Sequence, residues 1–367
     1  MAASSTFNDA PGTHCVSLSS ADLAELSAII AHGSKSFHAA SLLLPESVRR
    51  SAFAIYAFCR FSDDLVDSRG ADMATIERLH ERLERIYAGN PMEAVADRAF
   101  AFAVARHAIP RSVPAALIDG YAWDIEARRY DSLDALNAYG ARVAGTVGVM
   151  MTIVMGRRSE TVLARAADLG LAMQLTNIAR DVGEDARNGR LYLPLDWLAE
   201  EGIDADAFLG DPVFSPGIGR VTERLLAAAA TLYRRAETAI ASLPLSCRPA
   251  IRAAAGIYAE IGTQIAAAHY DTVSRRAVTS RLRKAQILAS SLATPMIIRS
   301  CHHGPPEEAT RFLIEASAQE IAPTPERARY LDHRLGSLVS LIETLERRDR
   351  DALAMRRPVH IQLDTGR

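Results

Sequence analysis

Apolar residues recur at intervals of three and four along almost the whole chain, which is the period of an amphipathic α-helix. Two clear examples are the segments IERLHERLERIYAG, which starts at Ile76, and VTERLLAAAATLYRRAETAIASL, which starts at Val221. Neither the alternating pattern of a half-buried strand nor a repeat of about 20 to 50 residues is found. The sequence therefore predicts an all-α protein.

Glycine and proline divide this helical pattern into segments. Because apolar helices resume directly after each break, we interpret the breaks as interhelix loops rather than domain linkers. They fall at Gly33, Pro45, Gly70, Pro110–Pro114, Gly156, Arg187–Pro194, Leu209–Gly219 and Leu243–Pro249. The clearest change of composition starts at Cys301, after which Arg and Glu become frequent. We therefore predict one domain over 1–304 and an appended segment over 305–367, with a helix from about Arg327 to Leu353.

Composition and charge exclude several classes of protein. With 367 residues, of which 49% are apolar, the chain has enough material for a large core. A net charge of −2 argues against a nucleic-acid partner. Four widely separated cysteines predict neither a disulfide framework nor a zinc site. Since neither a signal peptide nor a stretch long enough to span a membrane is evident, we expect a cytoplasmic protein.

Two apolar helical segments end in groups of acidic residues. The first is FCRFSDDLVDSRG, which contains Asp63, Asp64 and Asp67. The second, LGLAMQLTNIARDVGEDARNGRLYLP, starts at Leu169. Residues four apart share a face of a helix, so Asp63 lies on the same face as Asp67. The same spacing relates Asn177, Asp181 and Asp185.

Each acidic group alone is typical of a solvated helix face, where Arg60 could pair with Asp63 or Asp64, and Arg180 with Glu184. The two groups together are harder to explain in this way. Like charges repel at this spacing, and the helix dipole disfavours negative charge at a C-terminus. Mg²⁺ binds carboxylates together with phosphate oxygens. A magnesium–diphosphate site is therefore the alternative hypothesis to a solvated face, with Asn177 as a neutral ligand.

Four stretches of this sequence resemble the squalene/phytoene synthase family of head-to-head prenyl synthases. They are SKSFHAASLLLP from Ser34, AIYAFCRFSDDLVD from Ala54, RVAGTVGVMM from Arg142 and QLTNIARDVGEDARNGRLYLP from Gln174. Weaker similarity includes AAHYDTVSRR, from Ala267, and reaches Lys284. The resemblance covers residues 20 to 300 approximately and does not include the segment after about 305.

The resemblance implies the isoprenoid-synthase helical bundle, with acidic motifs on opposite walls of a central apolar cavity. It implies catalytic roles for Asp63, Asp67, Asp181 and Asp185. The implied ligands of Mg²⁺, with Mn²⁺ as an alternative, are Asp63, Asp64, Asp67, Asn177, Asp181 and Asp185. The residues implied to bind substrate diphosphate are Lys35, Ser36, Arg60, Tyr270, Arg276 and, less directly, Lys284.

One position departs from the family pattern. Relatives often carry a tyrosine directly before the VAG motif, and Arg142 occupies that position here. The role of that tyrosine would then fall to Tyr139 or be met in another way. After Arg142, the stretch Val143–Gly156 could form a dry apolar wall through Met150, Met151 and Met155, although ordinary core packing explains each methionine equally well.

The activity implied by the resemblance is the condensation of two geranylgeranyl diphosphates, through a cyclopropyl diphosphate, to phytoene, the first committed step of carotenoid biosynthesis. We expect no NADPH requirement. The alternatives are a squalene or dehydrosqualene synthase acting on farnesyl diphosphate, a class I terpene cyclase, and a non-catalytic scaffold relative. An apolar product makes peripheral contact with the inner membrane an open option, and the residues leave the oligomeric state open.

Overall fold

A computed structural model describes residues 18–293 and 304–318 of the chain. These residues form fifteen α-helices and no strand, which confirms the all-α prediction for the described part. The helices are α1 Ser20–Gly33, α2 Lys35–Ser41, α3 Glu46–Val66, α4 Met73–Tyr87, α5 Val95–His107, α6 Ser112–Ile125, α7 Leu133–Gly140, α8 Thr146–Val154, α9 Glu160–Arg187, α10 Leu195–Glu200, α11 Ala205–Gly210, α12 Pro216–Ile240, α13 Arg248–Ala267, α14 Arg281–Ala293 and α15 Arg311–Ala318.

Local sequence explains where many of these helices begin and end. A capping box on Asp72 opens α4, and Gly89, at φ 75°, follows its end in the left-handed conformation that glycine tolerates. Two predicted loops are shorter than expected, because Pro216 and Pro249 lie in the first turns of α12 and α13. Proline is favoured there, since the first turn of a helix does not use its N–H groups.

The long helix α9 lies at the centre of the fold. It packs against α12, α8 and α13, and its buried face contributes Leu171 and Leu175 to the core. Gly148 of α8 and Gly170 of α9 allow these two helices to approach closely. A Cβ atom at Gly148 would lie 2.2 Å from the carbonyl oxygen of Ala166, and one at Gly170 would lie 2.3 Å from that of Ala144. Small residues in and after the VAG motif therefore permit this close packing.

A π-helical turn over Ala141–Gly145 joins α7 to α8 without a break. The sequence reasoning did not predict it. Such turns insert one extra residue into a helix and change the direction in which the following side chains point. Here the turn precedes Val147 and Met151, which face the interior cavity described below.

In the segment 304–318, α15 packs against α6, α8 and α9, and a short 3₁₀ turn, Glu308–Thr310, packs against α7 and the π-helical turn. The domain boundary after residue 304 stays a prediction. The predicted helix from Arg327 to Leu353 lies outside the described residues. None of the helices in the described ranges combines the length and apolar character needed to cross a bilayer.

Candidate active site

An interior cavity of about 720 Å³ runs along α9 between α3, α8, α12 and α13. Residues of α9 line it from Val162 to Glu184, a distance of about 30 Å at the rise of an α-helix. This finding confirms the prediction of a central cavity. We call the end that carries Asp63, Asp67, Asn177, Asp181 and Glu184 the acidic mouth. The opposite end, at Met155, Val162 and Arg165, is the deep end, and all three residues there are buried.

The first acidic group lies at the C-terminal end of α3. Asp63 and Asp67 both line the cavity, as their spacing predicted, whereas Asp64 is exposed and is not among the lining residues. Arg60 lies 3.4 Å from Asp63 and 2.5 Å from Asp64, so both of its predicted pairings are present.

The second acidic group lies in the last turns of α9. Asn177 and Asp181 line the cavity, together with Glu184, which the resemblance did not include as a ligand. Asp185 lies outside this lining, next to Arg190 and Tyr192. The Oδ1 atom of Asn177 is buried and accepts no hydrogen bond from the described residues. A buried oxygen in this state is available for a ligand.

Arginines from outside the first acidic segment bring the two groups together. Arg190, which follows α9, donates a hydrogen bond of 2.8 Å to Asp67 of α3. Asp181 accepts hydrogen bonds from its neighbour Arg180 and, at 2.7 and 3.1 Å, from Arg276. Arg276 also lies 3.5 Å from Glu184, the acid that we had paired with Arg180. The two groups therefore face one another across one mouth.

Neighbouring carboxyls at and around the mouth repel one another. Burial, followed by the charge of Asp67, raises the pKa of Asp63 to about 6. Burial and the charge of Asp181 raise the pKa of Asp185 to about 7. Burial also acts on Asp181, but hydrogen bonds from Arg180 and Arg276 hold its pKa below the usual range. A cation that entered the mouth would relieve the repulsion that raises the first two pKa values.

The donor set of the mouth fits a hard divalent cation. It offers carboxylate oxygens from two helices and the unpaired amide oxygen of Asn177, and Mg²⁺ prefers oxygen ligands. Within the described ranges, no three acidic, histidine or cysteine side chains are gathered closely enough to form a complete metal site. Arginines pair with several of these carboxylates instead. Arg190, for example, supplies part of the positive charge that balances the first acidic group.

The two lysines of the chain meet beside this mouth. Burial, followed by the charges of Lys35 and Arg180, lowers the pKa of Lys284. Lys35 starts α2 and Lys284 lies in α14, so the fold joins two cations that are far apart in sequence. Ser36 is half-buried outside the cavity lining, in which its neighbour Ser34 takes part. Tyr270 also lies outside the lining, and its hydroxyl donates to Glu223 at 2.9 Å.

Apolar side chains form most of the wall between the mouth and the deep end. Met151 and Met155 line the cavity, whereas Met150 is fully buried in the core outside it. The cavity also has two tyrosines that sequence reasoning missed, Tyr56 and Tyr258.

Neither Arg142, which stands where relatives often have a tyrosine, nor Tyr139 lines the cavity. The guanidinium of Arg142 lies 4.4 Å from the ring centroid of Trp123. The hydroxyl of Tyr139 donates to Asp124 at 3.0 Å. Among the described residues, Tyr56 and Tyr258 are the tyrosines that line the cavity.

A buried ion-pair cluster closes the deep end. It consists of Arg165, Asp168, Arg235 and Glu307. The Oδ2 atom of Asp168 lies 2.9 Å from the Nε atom of Arg165 and 3.1 Å from that of Arg235. Both arginines donate to the carbonyl oxygen of Pro305. The cluster thus ties α9 and α12 to the segment 304–318, and no sequence motif had indicated it.

Comparison with known proteins adds three similarities. The squalene/phytoene synthase family model matches residues 30–283. The chain is 49% identical to the phytoene synthase of Rhodobacter capsulatus over 346 residues, which are 92% of this chain and 99% of that protein. It is 48% identical to the phytoene synthase of Cereibacter sphaeroides over 348 residues, 91% of this chain and 96% of that one.

Among solved structures, a dehydrosqualene synthase in complex with a ligand is similar to this chain at a TM-score of 0.68 and 30% identity. The similarity covers 74% of this chain and 96% of that structure. This likeness agrees with the isoprenoid-synthase bundle expected from the sequence. The match to the Rhodobacter protein leaves less than a tenth of this chain uncovered, so it continues past residue 304.

Proposed function

The chain belongs to the squalene/phytoene synthase family and is a prenyltransferase, and from this premise we propose that it condenses two geranylgeranyl diphosphates to phytoene. The observation that carries the proposal is the identity of 48 to 49% with two phytoene synthases over more than nine-tenths of the chain. Phytoene is the hydrocarbon from which carotenoids are built, so this reaction commits the precursor to carotenoid biosynthesis.

The charge distribution along the cavity supports this reaction. Two diphosphates bring strong negative charge to one end of the substrates. Arg60, Arg180 and Arg276, with Lys35 and Lys284 beside them, offer cations that bind phosphate oxygens. The two prenyl chains then extend along the apolar wall towards the deep end.

The acidic mouth would hold Mg²⁺, or Mn²⁺ in its place, through Asp63, Asp67, Asn177, Asp181 and Asp185. Bound there with the diphosphate, such an ion supplies charge neutralisation for the leaving group. A cation that approached Asp63 and Asp185 would lower the raised pKa values of these carboxyls and so favour their ionised form.

The reaction balances without a reductant. Loss of the first diphosphate leaves an allylic cation, which the double bond of the second substrate attacks, and one proton leaves as the cyclopropane closes. Loss of the second diphosphate, rearrangement and loss of a second proton give the hydrocarbon. The chain's own contribution is to orient both substrates and to keep water from the cations with Met151, Met155 and Val147.

A second candidate activity is the synthesis of dehydrosqualene, because a dehydrosqualene synthase is the solved structure that resembles this chain at 30% identity. Incubating the purified protein with geranylgeranyl or farnesyl diphosphate decides between the two. We expect a C40 hydrocarbon that forms with Mg²⁺, does not need NADPH and disappears with EDTA. A C30 product alone would favour the second candidate, and a C20 hydrocarbon alone would identify a cyclase.

We further propose that the protein is cytoplasmic and contacts a membrane peripherally. An apolar C40 product is poorly soluble in water and requires an apolar phase to receive it.

A further inference from the structure

Helix α14 is unusual because it carries apolar residues on two opposite faces. One face packs on the protein through Ile287, Leu288 and the buried Ser291. The opposite face is solvent-exposed and carries Leu282, Ala285, Ala289 and Leu292, at spacings of three, four and three residues. Residues at these spacings form a single stripe along a helix. We call these four residues the α14 stripe.

The exposure of the α14 stripe is large. Leu282 is 70% exposed and Leu292 is 62% exposed. Val278, four residues before Leu282, is 72% exposed and extends the apolar surface beyond the helix. Single exposed leucines are common, but a continuous apolar stripe opposite the packed face of a helix indicates a surface that something else covers.

The segment that carries the α14 stripe contributes charges of one sign. From Thr272 to Pro306 the sequence has no acidic residue, whereas it has six arginines and lysines. Arg281 and Arg283 lie at the start of the helix, and Arg275 lies just before it. Among the described residues, Arg283 pairs with Glu260, whereas neither Arg275 nor Arg281 forms an ion pair. An apolar stripe with cations beside it complements an anionic lipid surface.

The stripe also lies close to the active site. Arg276, five residues before α14, lines the acidic mouth, and Lys284 of α14 interacts with Lys35 and Arg180 on the inner side of the helix. The same helix therefore presents a cation to the diphosphate end of the cavity and apolar residues to the outside.

We propose that the α14 stripe is the surface by which this protein docks on an anionic lipid bilayer, with its leucines entering the interface and its arginines contacting lipid phosphates. The reason for docking, the transfer of an apolar product, rests on the proposed function, whereas the docking surface itself does not. A protein partner fits this surface less well. The polar rim of a protein interface mixes acidic and basic residues, whereas the segment from Thr272 to Pro306 has only basic ones. A second copy of the chain would bring the same positive charge against itself.

Co-sedimentation of the full chain with lipid vesicles tests the proposal. We expect binding to vesicles of phosphatidylcholine with phosphatidylglycerol, and much weaker binding to phosphatidylcholine alone. The double variant Leu282→Glu, Leu292→Glu should lower the vesicle partition coefficient by about tenfold or more. It loses apolar area that would be buried in the lipid, and it adds negative charge. The matched control is Val213→Glu, Leu245→Glu, two residues that are 61% and 56% exposed on other elements.

Two further measurements complete the test. The pair Arg275→Gln, Arg281→Gln should weaken binding to the anionic vesicles while leaving the helix stripe intact, and added salt should weaken binding of the unchanged protein. Formation of the hydrocarbon in detergent should be the same in all variants, because none of these residues lines the cavity.

Equal vesicle binding by the stripe variant and the control would overturn the proposal. So would a dimer, seen by light scattering without lipid, that the stripe variant dissociates, since the second copy would then be the occupant. If vesicle binding follows the expectation but no C40 hydrocarbon forms in detergent, the proposed function fails and the docking surface stands.

Discussion

The two ends of the cavity both contain arginines paired with carboxylates, but the balance of charge differs between them. At the acidic mouth, four acids and three arginines line the cavity: Asp63, Asp67, Asp181 and Glu184 with Arg60, Arg180 and Arg276. In the buried ion-pair cluster at the deep end, two acids face two arginines, which also share the carbonyl oxygen of Pro305.

This difference separates a site from a structural element. The deep end is neutral, and the side chains of Arg165 and Asp168 there are fully buried, so these charges satisfy one another and hold the segment 304–318 in place. The mouth has carboxyls that repel one another and an unpaired oxygen on Asn177, so it can gain free energy by binding a cation. Removing a carboxylate should therefore cost stability at the deep end and activity at the mouth.

The largest expected effect is at the deep end. Asp168→Asn leaves Arg165 without its carboxylate inside the protein, and breaking a buried ion pair from one side costs about 3–5 kcal/mol. Urea unfolding followed by circular dichroism measures the loss. Asp211→Asn, at an exposed acid on the surface, is the control and should change stability little. If Asp168→Asn unfolded at the same urea concentration as the unchanged protein, the structural role of the cluster would be wrong.

The opposite result is expected for a carboxylate at the mouth. Asp63→Asn should lower kcat/KM by about 10² to 10³-fold, the range found when one electrostatic contact to a developing charge is removed. Burial and Asp67 raise the pKa of Asp63, so its charge opposes folding and the variant should be no less stable than the unchanged protein. Steady-state formation of the hydrocarbon and a urea curve measure the two quantities. A variant that kept most of its activity would remove Asp63 from the site.

A smaller effect is expected between the two ends, where α8 and α9 touch. Gly170→Ala places a methyl group against the backbone of Ala144, in the π-helical turn that leads into α8, and forces that turn away from α9, at a cost of about 1–3 kcal/mol. Gly210→Ala is the matched control, since nothing lies within 4 Å of a Cβ atom at that helical glycine. The control should be neutral or slightly stabilising. Equal effects of the two substitutions would mean that the close approach of α8 and α9 is not rigid.

The smallest expected effect is the response of stability to metal and pH. Mg²⁺ at ten times its Kd should add about 1.4 kcal/mol to the free energy of unfolding and raise Tm by a few degrees near pH 8. Asp63→Asn should lose this shift, whereas Asp168→Asn should keep it, because only Asp63 lines the mouth.

The pH dependence follows from the raised pKa values of Asp63 and Asp185, about 6 and about 7. At pH values above about 4, the ordinary pKa of a carboxyl group, the folded chain binds more protons at these two groups than the unfolded chain does. Their contribution to stability without metal therefore falls as pH rises from about 4 to 7. Near pH 5 protons occupy both carboxyls, so the Mg²⁺ shift in Tm should nearly vanish. A shift of equal size at both pH values would contradict binding at these groups.

Much of the fold and part of the site could be predicted from local patterns. The period of the apolar residues gave the helices, and the spacing of four correctly placed Asp63 with Asp67, and Asn177 with Asp181, on faces that line the cavity. The same reasoning left open whether Met150 lines the cavity or packs in the core, because a helix with apolar residues on several faces does not reveal which of them borders a cavity. It also assigned the role of the replaced tyrosine to Tyr139 or to some other means, and it did not identify Tyr56 and Tyr258, which line the cavity from distant helices.

The sequence by itself determined the helices, their caps and the two acidic groups, because each of these depends on residues within about one or two turns of each other. Only the tertiary structure decided which cations meet which acids, as with Arg190 and Asp67 or the cluster around Asp168. It also decided that α14 keeps an apolar stripe in solvent. These features depend on contacts between residues far apart in the chain, and pairing of that kind has no period or spacing in the sequence.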